Sequence, residues 1–270
     1  MRSARRHFWI CSCLSWILCT VDLLLADETS VVPQRLDLSY ALNPQSNFWP
    51  GPGYSPFQLE TIATLEKNGV LSKKVSFPEH IGTHLDAPNH FEQGQPDVSQ
   101  IPVEQLFAPG VLIDFTARAE SNPDAELSTA DIADWEAAHG RIPDGAVVLL
   151  HTGWGRFWTQ PERFLGRDVR GQLHFPGYSA EAAKFLVEQR QVKGLGIDTL
   201  SVDPGTSKSF DVHHILNLAQ RYGLENVAHL DQLPPRGFDL IIAPLKVEGG
   251  TGGPCRIFAT LKSTADAAGK

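Results

Sequence analysis

Five short apolar runs rich in β-formers recur along the chain, and what lies between them restricts the fold most. The runs are Val111 to Phe115, Ala146 to His151, Val192 to Asp198, Phe238 to Ala243 and Arg256 to Leu261. Helical segments separate them. Ser128 opens one with a capping-box-like Asp131, and Ile132, Trp135 and Ala138 form its apolar stripe before Gly140. Ser179 caps another, Ala180 to Arg190, striped by Ala182, Phe185 and Leu186. A third is predicted from about Val212 to Tyr222, stopping at Gly223 as its C-terminal cap. Strands alternating with helices predict an α/β architecture. No repeat, low-complexity tract or Ser/Gly linker divides residues 27–270, so they are expected to form one domain.

The first 26 residues read as a targeting segment. Arg2, Arg5 and Arg6 precede an apolar run from Phe8 to Leu25, and Leu24-Leu25-Ala26 gives way to Asp27 and Glu28. That order predicts a signal peptide cleaved after Ala26 and a protein exported to the periplasm or secreted. Asp22 near the end of the run argues against a retained anchor, so no stable membrane association is expected after cleavage. Cys11, Cys13 and Cys19 fall in the leader, which leaves Cys255 alone and no internal disulfide. The fold must therefore rest on its core. Lys and Arg number 23 against 31 Asp and Glu, a net charge of −8. An acidic balance of this size argues against a nucleic-acid partner.

Chemistry concentrates between Val75 and Phe91. His80, His84, Asp86 and His90 occupy even positions, whereas Val75, Phe77, Ile81, Leu85 and Ala87 are odd. On an extended backbone alternate side chains share a face, so this parity sends the four polar groups one way and the apolar set into the core. A helix is the poorer reading, because Gly82 and Pro88 would cost it about 1 and 3 kcal/mol. Two imidazoles and a carboxylate suit Zn²⁺ or Mn²⁺, and three protein ligands leave coordination positions open. The order is not that of a zincin, since His-Glu-x-x-His is absent. A second cluster comprises Asp211, His213, His214, Glu225 and Asn226. Adjacent helical residues point about 100° apart, so only one of the two histidines easily faces a shared site. With Leu216, Leu218 and Ala219 expected to face inward, the pattern leaves that choice open. Pro/Gly-dense loops at Trp49–Gly53 and Glu248–Pro254 are candidate pocket rims. The second is not a phosphate loop, because no Lys-Ser/Thr follows its glycines.

The order His80-x-Gly82-Thr83-His84-x-Asp86-x-Pro88-x-His90 resembles the signature of the cyclase-type metal-dependent hydrolases, which include bacterial kynurenine formamidases and isatin hydrolases. Asn47–Gly51, Val147–Trp154, Gly196–Asp203, Glu225–Pro234 and Ala243–Arg256 also look like family blocks, so the resemblance spans nearly all of residues 33–262. It implies a single α/β domain of the swivelling β/β/α type with a mixed sheet. It also implies that His80, His84 and Asp86 bind the metal and that His90 is the general acid/base. In members with two metals a His and a Glu twelve residues apart help hold the second, which here selects His213 and Glu225. Glu225 would ligate that metal or orient the nucleophile. Phe48, Trp49 and Trp154 would wall the substrate pocket. One or two Mn²⁺ or Zn²⁺ per chain, a small-molecule substrate and a homo-oligomer are implied in the same way. His229 departs from relatives, which often carry Asn there.

The expected activity is hydrolysis of an amide, either an aryl formamide or a cyclic amide such as isatin. Export fits poorly with cytoplasmic tryptophan breakdown, so N-formylkynurenine is not the expected physiological substrate. The alternative is an exported, non-catalytic metal-binding protein with a closed site, and such a site has no use for an unligated base like His90. Asp198, Ser201, Asp203, His151 and Cys255 are expected to be structural, Cys255 as a small buried hydrophobe.

Overall fold

The computed structural model describes residues 34–262; the leader lies outside them. Twelve strands are described: β1 (Arg35–Asp37), β2 (Gln58–Ala63), β3 (Ser72–Ser76), β4 (His84–Asp86), β5 (Phe107–Asp114), β6 (Glu126–Leu127), β7 (Val147–His151), β8 (Gly177–Tyr178), β9 (Gly194–Ile197), β10 (Tyr222–Glu225), β11 (Phe238–Pro244) and β12 (Gly252–Leu261). Six α-helices accompany them: α1 (Leu65–Asn68), α2 (Thr116–Ser121), α3 (Thr129–His139), α4 (Pro161–Leu165), α5 (Ala180–Arg190) and α6 (Asp211–Leu218).

The main sheet runs β1-β12-β11-β5-β7-β9-β10-β4, and β4 also pairs with β12. Strands β5, β7, β9 and β10 are mutually parallel, whereas β4, β11 and β12 run antiparallel to their neighbours. Closure depends on the length of β12. Its first residues, Gly252–Pro254, pair with β4, and Phe258–Thr260 pair with β1. The mixed sheet thus closes into a barrel-like ring, and residues 34–262 form the single α/β domain expected from the sequence.

Both faces of the parallel strands are covered, which explains why those runs read as continuously apolar. Val111, Ile113, Val148, Leu150, Leu195 and Ile197 pack against Ile132 and Trp135 of α3 and Ala182, Ala183 and Leu186 of α5. The alternate residues Leu112, Val147 and Leu149 meet Leu85, Leu224, Leu240, Ile257 and Ala259 inside the ring. Helix α3 starts at a complete capping box, with Ser128 Oγ accepting from the Asp131 amide and Asp131 Oδ2 accepting from the Ser128 amide. Helix α5 spans the predicted residues and is capped by Ser179.

Two sequence expectations fail here for local reasons. The third helix ends at Leu218 rather than Tyr222, and Tyr222–Glu225 is strand β10. Gln220 adopts φ +57°, which turns the chain back. Tyr222 is then fully buried opposite Gly194, and Gly223 pairs with Asp86 instead of capping a helix. Leu218 faces solvent, not the core. The second failure concerns the extended reading of residues 75–91. Residues 75–76 end β3 and His84–Asp86 is β4, with no continuous strand between them; Gly82, at φ +62°, breaks the alternation and turns follow Ala87. Val75 belongs to the β2–β3 hairpin and is exposed, while Ile81, Leu85 and Ala87 are buried as expected.

Candidate active site

Strand β4 lies between two neighbours that each shape the site. His84 stands opposite Glu225 on β10, and directly paired residues project from the same face. Asp86 stands opposite Gly223 on one side and Gly252 on the other. Neither position tolerates a side chain easily. A Cβ at Gly252 would come within 2.8 Å of the His80 ring and 2.4 Å of the Leu85 carbonyl, and one at Gly223 would sit 3.3 Å from Asp86 Oδ2. The two glycines leave Asp86 room to receive imidazoles from outside the sheet.

Those imidazoles converge. His80 Nδ1 lies 2.6 Å from Asp86 Oδ1, and His84 Nε2 lies 3.3 Å from the same oxygen. His213, from α6, brings Nε2 to 3.2 Å from Asp86 Oδ2 and 3.3 Å from Glu225 Oε1. Glu225 Oε2 is 3.3 Å from His84 Nε2. His213 is buried, whereas the side chain of His214 is 44% exposed and turned to Glu92. Of the two, His213 is the one that faces Asp86 and Glu225. His80, His84 and Asp86 have the mutual spacing of a metal-ligand set, and so do Asp86, His90 and His213.

Each ring is held from behind. His84 Nδ1 lies 2.9 Å from the carbonyl of Gly82, His213 Nδ1 lies 2.6 Å from Asp203 Oδ2, and His80 Nε2 lies 3.0 Å from Thr251 Oγ1. Asp203 also accepts from the amides of Val212 and His213, which fixes the start of α6. Partners of this kind set which ring nitrogen is left to face a cation.

Electrostatics ask for positive charge at the centre. Burial would raise the Asp86 carboxyl, yet His84 and His80 hold it well below the usual carboxylate range. Burial likewise opposes the charged form of His84, but Asp86 and Glu225 push it up to about 10. His213 is raised in the same manner by Asp203, Asp86 and Glu225 against the effect of burial. His84 Nε2 is a buried nitrogen with no hydrogen-bond partner, aimed at two carboxylates. A buried orphan of this type is rare unless it has an ionic or catalytic use, and three imidazoles with two carboxylates match the donor chemistry of Zn²⁺ or Mn²⁺. The residues fit a divalent metal.

Residues 36–204 match the Cyclase family. An isatin hydrolase of Roseibium aggregatum is 37% identical over 190 residues, covering 67% of this chain and 71% of that protein. A kynurenine formamidase of Maricaulis maris is 27% identical over 225 residues, covering 82% and 94%. Isatin hydrolase A from Labrenzia aggregata, solved with benzyl benzoate, superposes with a TM-score of 0.81 at 35% identity, covering 86% of this chain and 95% of that one. The chain belongs to the Cyclase family. It is a hydrolase, and its centre is suited to a divalent metal.

The hydrolase site opens into a cavity of about 190 Å³ lined by Trp49, Tyr54, His80, His90, Phe91, Ser201, Phe210, His213 and Glu225. His90 stacks on His80 with ring centroids 3.9 Å apart, and among the described residues its ring makes no hydrogen bond. Burial pushes it down to about 3 against the pull of Asp86, and the three neighbouring imidazoles add to the effect. Trp49 meets Phe210 edge-on at 5.6 Å, and Phe91 lies 5.3 Å from Phe210.

Two expected pocket residues are elsewhere. Phe48 bridges to Ile81 in antiparallel fashion. Its side chain therefore points away from that of Trp49 and lines a separate cleft with Pro44, Pro161 and Leu165. Trp154 is buried beside Phe164 and Leu200, donating its indole N–H to the Phe164 carbonyl. His151, Asp198 and His229 line another cleft, with Tyr40 and Trp158. Asp198 spends one carboxylate oxygen on the hydroxyl and amide of Thr152, and Cys255 is buried with its thiol pushed up by desolvation. Sequence reasoning missed Tyr54, Phe91 and Phe210 as cavity walls. Phe91 directly follows His90, which was a usable signal; Phe210 carries none, since it arrives through a turn at φ +52°.

Proposed function

We propose that this hydrolase is an exported enzyme that opens or cleaves an aromatic amide, with the metal held by His80, His84 and Asp86 and extended by His213 and Glu225. The observation that carries this reading is the convergence of those five side chains on one buried point, with His84 Nε2 left without a partner. A divalent metal bound there supplies Lewis-acid polarisation of a carbonyl and acidification of a water. The chain's own residues do the rest. The His90 ring stacks on His80 and makes no hydrogen bond among the described residues, so a ring nitrogen is free to take a proton from the attacking water and return it to the leaving nitrogen. Glu225 Oε1 accepts from the Val202 amide, which fixes that carboxylate against His213. Trp49, Tyr54, Phe91 and Phe210 present ring faces and edges suited to a flat substrate and keep bulk water from the cleft.

The cavity is smaller than the roughly 300–1,000 Å³ typical of sites for drug-sized ligands, which favours a compact substrate. Isatin or a related cyclic amide is the first choice, supported by the higher identity to an isatin hydrolase than to a kynurenine formamidase. An aryl formamide is the second. Mn²⁺ or Zn²⁺ is the proposed metal, with five ligand side chains enough for one ion or two. A closed, non-catalytic site finds no support in relatives that are hydrolases or in the cavity that opens beside His80, His213 and Glu225. Mature protein reloaded with each metal and offered isatin and formanilides should hydrolyse at least one, and chelation should abolish turnover reversibly. Failure on every amide at full metal loading would sink the assignment.

Export rests on the leader, and mass spectrometry of the native protein should find a start near Asp27; a species retaining Arg5 would mean an anchor. A homo-oligomer is supported by the β2–β3 hairpin. It carries Leu59 opposite Val75 on one exposed face and the Glu60–Lys74 ion pair on the other. Such a hairpin is marginally stable alone, so a second copy of the chain is the proposed cover. Light scattering showing a monomer at micromolar concentration would remove this reading.

A further inference from the structure

The glycine-rich loop leading into β12 carries Thr251, whose hydroxyl lies against the His80 ring. Thr251 lies between Gly250 and Gly252, and both glycines are required by close approach. A Cβ at Gly250 would come within 2.8 Å of Glu79 Oε1, and one at Gly252 within 2.8 Å of the His80 ring. The loop is also tied down by its backbone. Thr251 O accepts from the Ala87 amide and Gly250 O from the Val98 amide.

The hydrogen bonds around Thr251 have a direction. Its hydroxyl donates to Glu79 Oε2 at 2.6 Å, and its amide donates to the same oxygen at 3.1 Å. A hydroxyl has a single proton, and a carboxylate accepts only. Toward His80 Nε2, 3.0 Å away, Thr251 Oγ1 can therefore only accept. A proton is thereby placed on His80 Nε2, and Nδ1, which lies 2.6 Å from Asp86 Oδ1, is the nitrogen left to face the cation position. The other two imidazoles are oriented differently, His84 by a backbone carbonyl and His213 by a carboxylate. Only His80 depends on a two-residue relay that spans 172 positions of sequence, from Glu79 to Thr251.

We propose that Glu79 and Thr251 are positioning residues for the metal centre, acting through His80: the Glu79–Thr251 pair fixes the ring so that Nδ1 is presented to the cation. This rests on the metal-centre reading given above. A relay behind a ligating histidine is worth roughly 10–100-fold in metal affinity.

The test measures affinity of the full mature chain for Zn²⁺ and Mn²⁺ by competition with a chromophoric chelator, with melting temperature as a check on folding. Thr251→Val keeps the shape but removes the acceptor, and it should weaken binding by 10–100-fold. Thr251→Ser restores the hydroxyl and should bind within about threefold of wild type, a rescue that a packing role would not produce. Glu79→Gln supplies amide protons that free the hydroxyl to turn toward His80, and it should show a loss between the two. Wild-type affinity in Thr251→Val, or a Ser variant as weak as the Val variant, would overturn the proposal. If Thr251→Val does not fold, unchanged affinity in Glu79→Gln overturns it instead. His84→Ala in the same assay keeps the readings apart: retained metal there removes the centre itself, whereas loss there beside an unaffected Thr251→Val removes only the relay.

Discussion

Strands β5, β7 and β9 with helices α3 and α5 are fastened by signals that lie close together in sequence. Ser128 and Asp131 close a capping box, Ser179 caps α5, and the apolar stripes of both helices meet alternate residues of the strands. The half of the ring that carries the metal centre is put together otherwise. Its strand β4 has three residues, the side chains proposed to hold the metal come from a turn, two strands and a helix, and four of the five described non-glycine residues at positive φ fall between Phe210 and His229. Residues held there cost on the order of 1–3 kcal/mol each and persist only where their surroundings over-determine them. Asn226 shows how: its side chain donates to the Gly82 carbonyl, and its own carbonyl accepts from Thr83. The packing half supplies the stability, and the site half uses it to hold a geometry that local preferences would not choose.

If that division is right, substitutions in the two halves should separate stability from chemistry. The largest effect on chemistry is expected at His90. His90→Ala should retain its metal and melt near wild type while losing turnover by roughly 10²–10⁴-fold, about 3–5 kcal/mol of transition-state stabilisation. Loss of metal in that variant would place His90 among the ligands, in line with its spacing to Asp86 and His213. Leu186→Ala, at a fully buried position of α5, should cost about 2–5 kcal/mol in denaturant unfolding, with metal affinity unchanged when measured well below the midpoint. A matching drop in metal affinity would mean that the halves are coupled. The smallest effect belongs to Ser128→Ala, which removes one side of the capping box and should destabilise by about 0.5–2 kcal/mol without altering kcat. A change in kcat would undo the separation.

The same contrast explains what could be read from the sequence. The five apolar runs and two of the three helices were legible because periodicity and caps are local. The third helix was overextended because Tyr222 and Gly223 fit a helical end as well as a strand, and only the pairing of Gly223 with Asp86 decides between them. The cluster of His80, His84, Asp86 and His90 was legible from its composition, although the continuous strand invoked to align it does not form. His80 reaches Asp86 across the Gly82 turn instead. His213 could not be separated from His214 by pattern, since the expected inward face of α6 included the exposed Leu218. Thr251 and Glu79 were invisible as partners because nothing local links residues that far apart.

Metal content of wild type against His84→Ala tests the central claim most directly. His84 contributes the buried Nε2 that has no partner, and it sits opposite Glu225 within the sheet, so its removal takes away a proposed ligand at the centre of the site. Elemental analysis after chelation and reloading should find one or two Mn²⁺ or Zn²⁺ per wild-type chain and a clear loss in His84→Ala. Full metal stoichiometry in the folded His84→Ala protein would contradict the account.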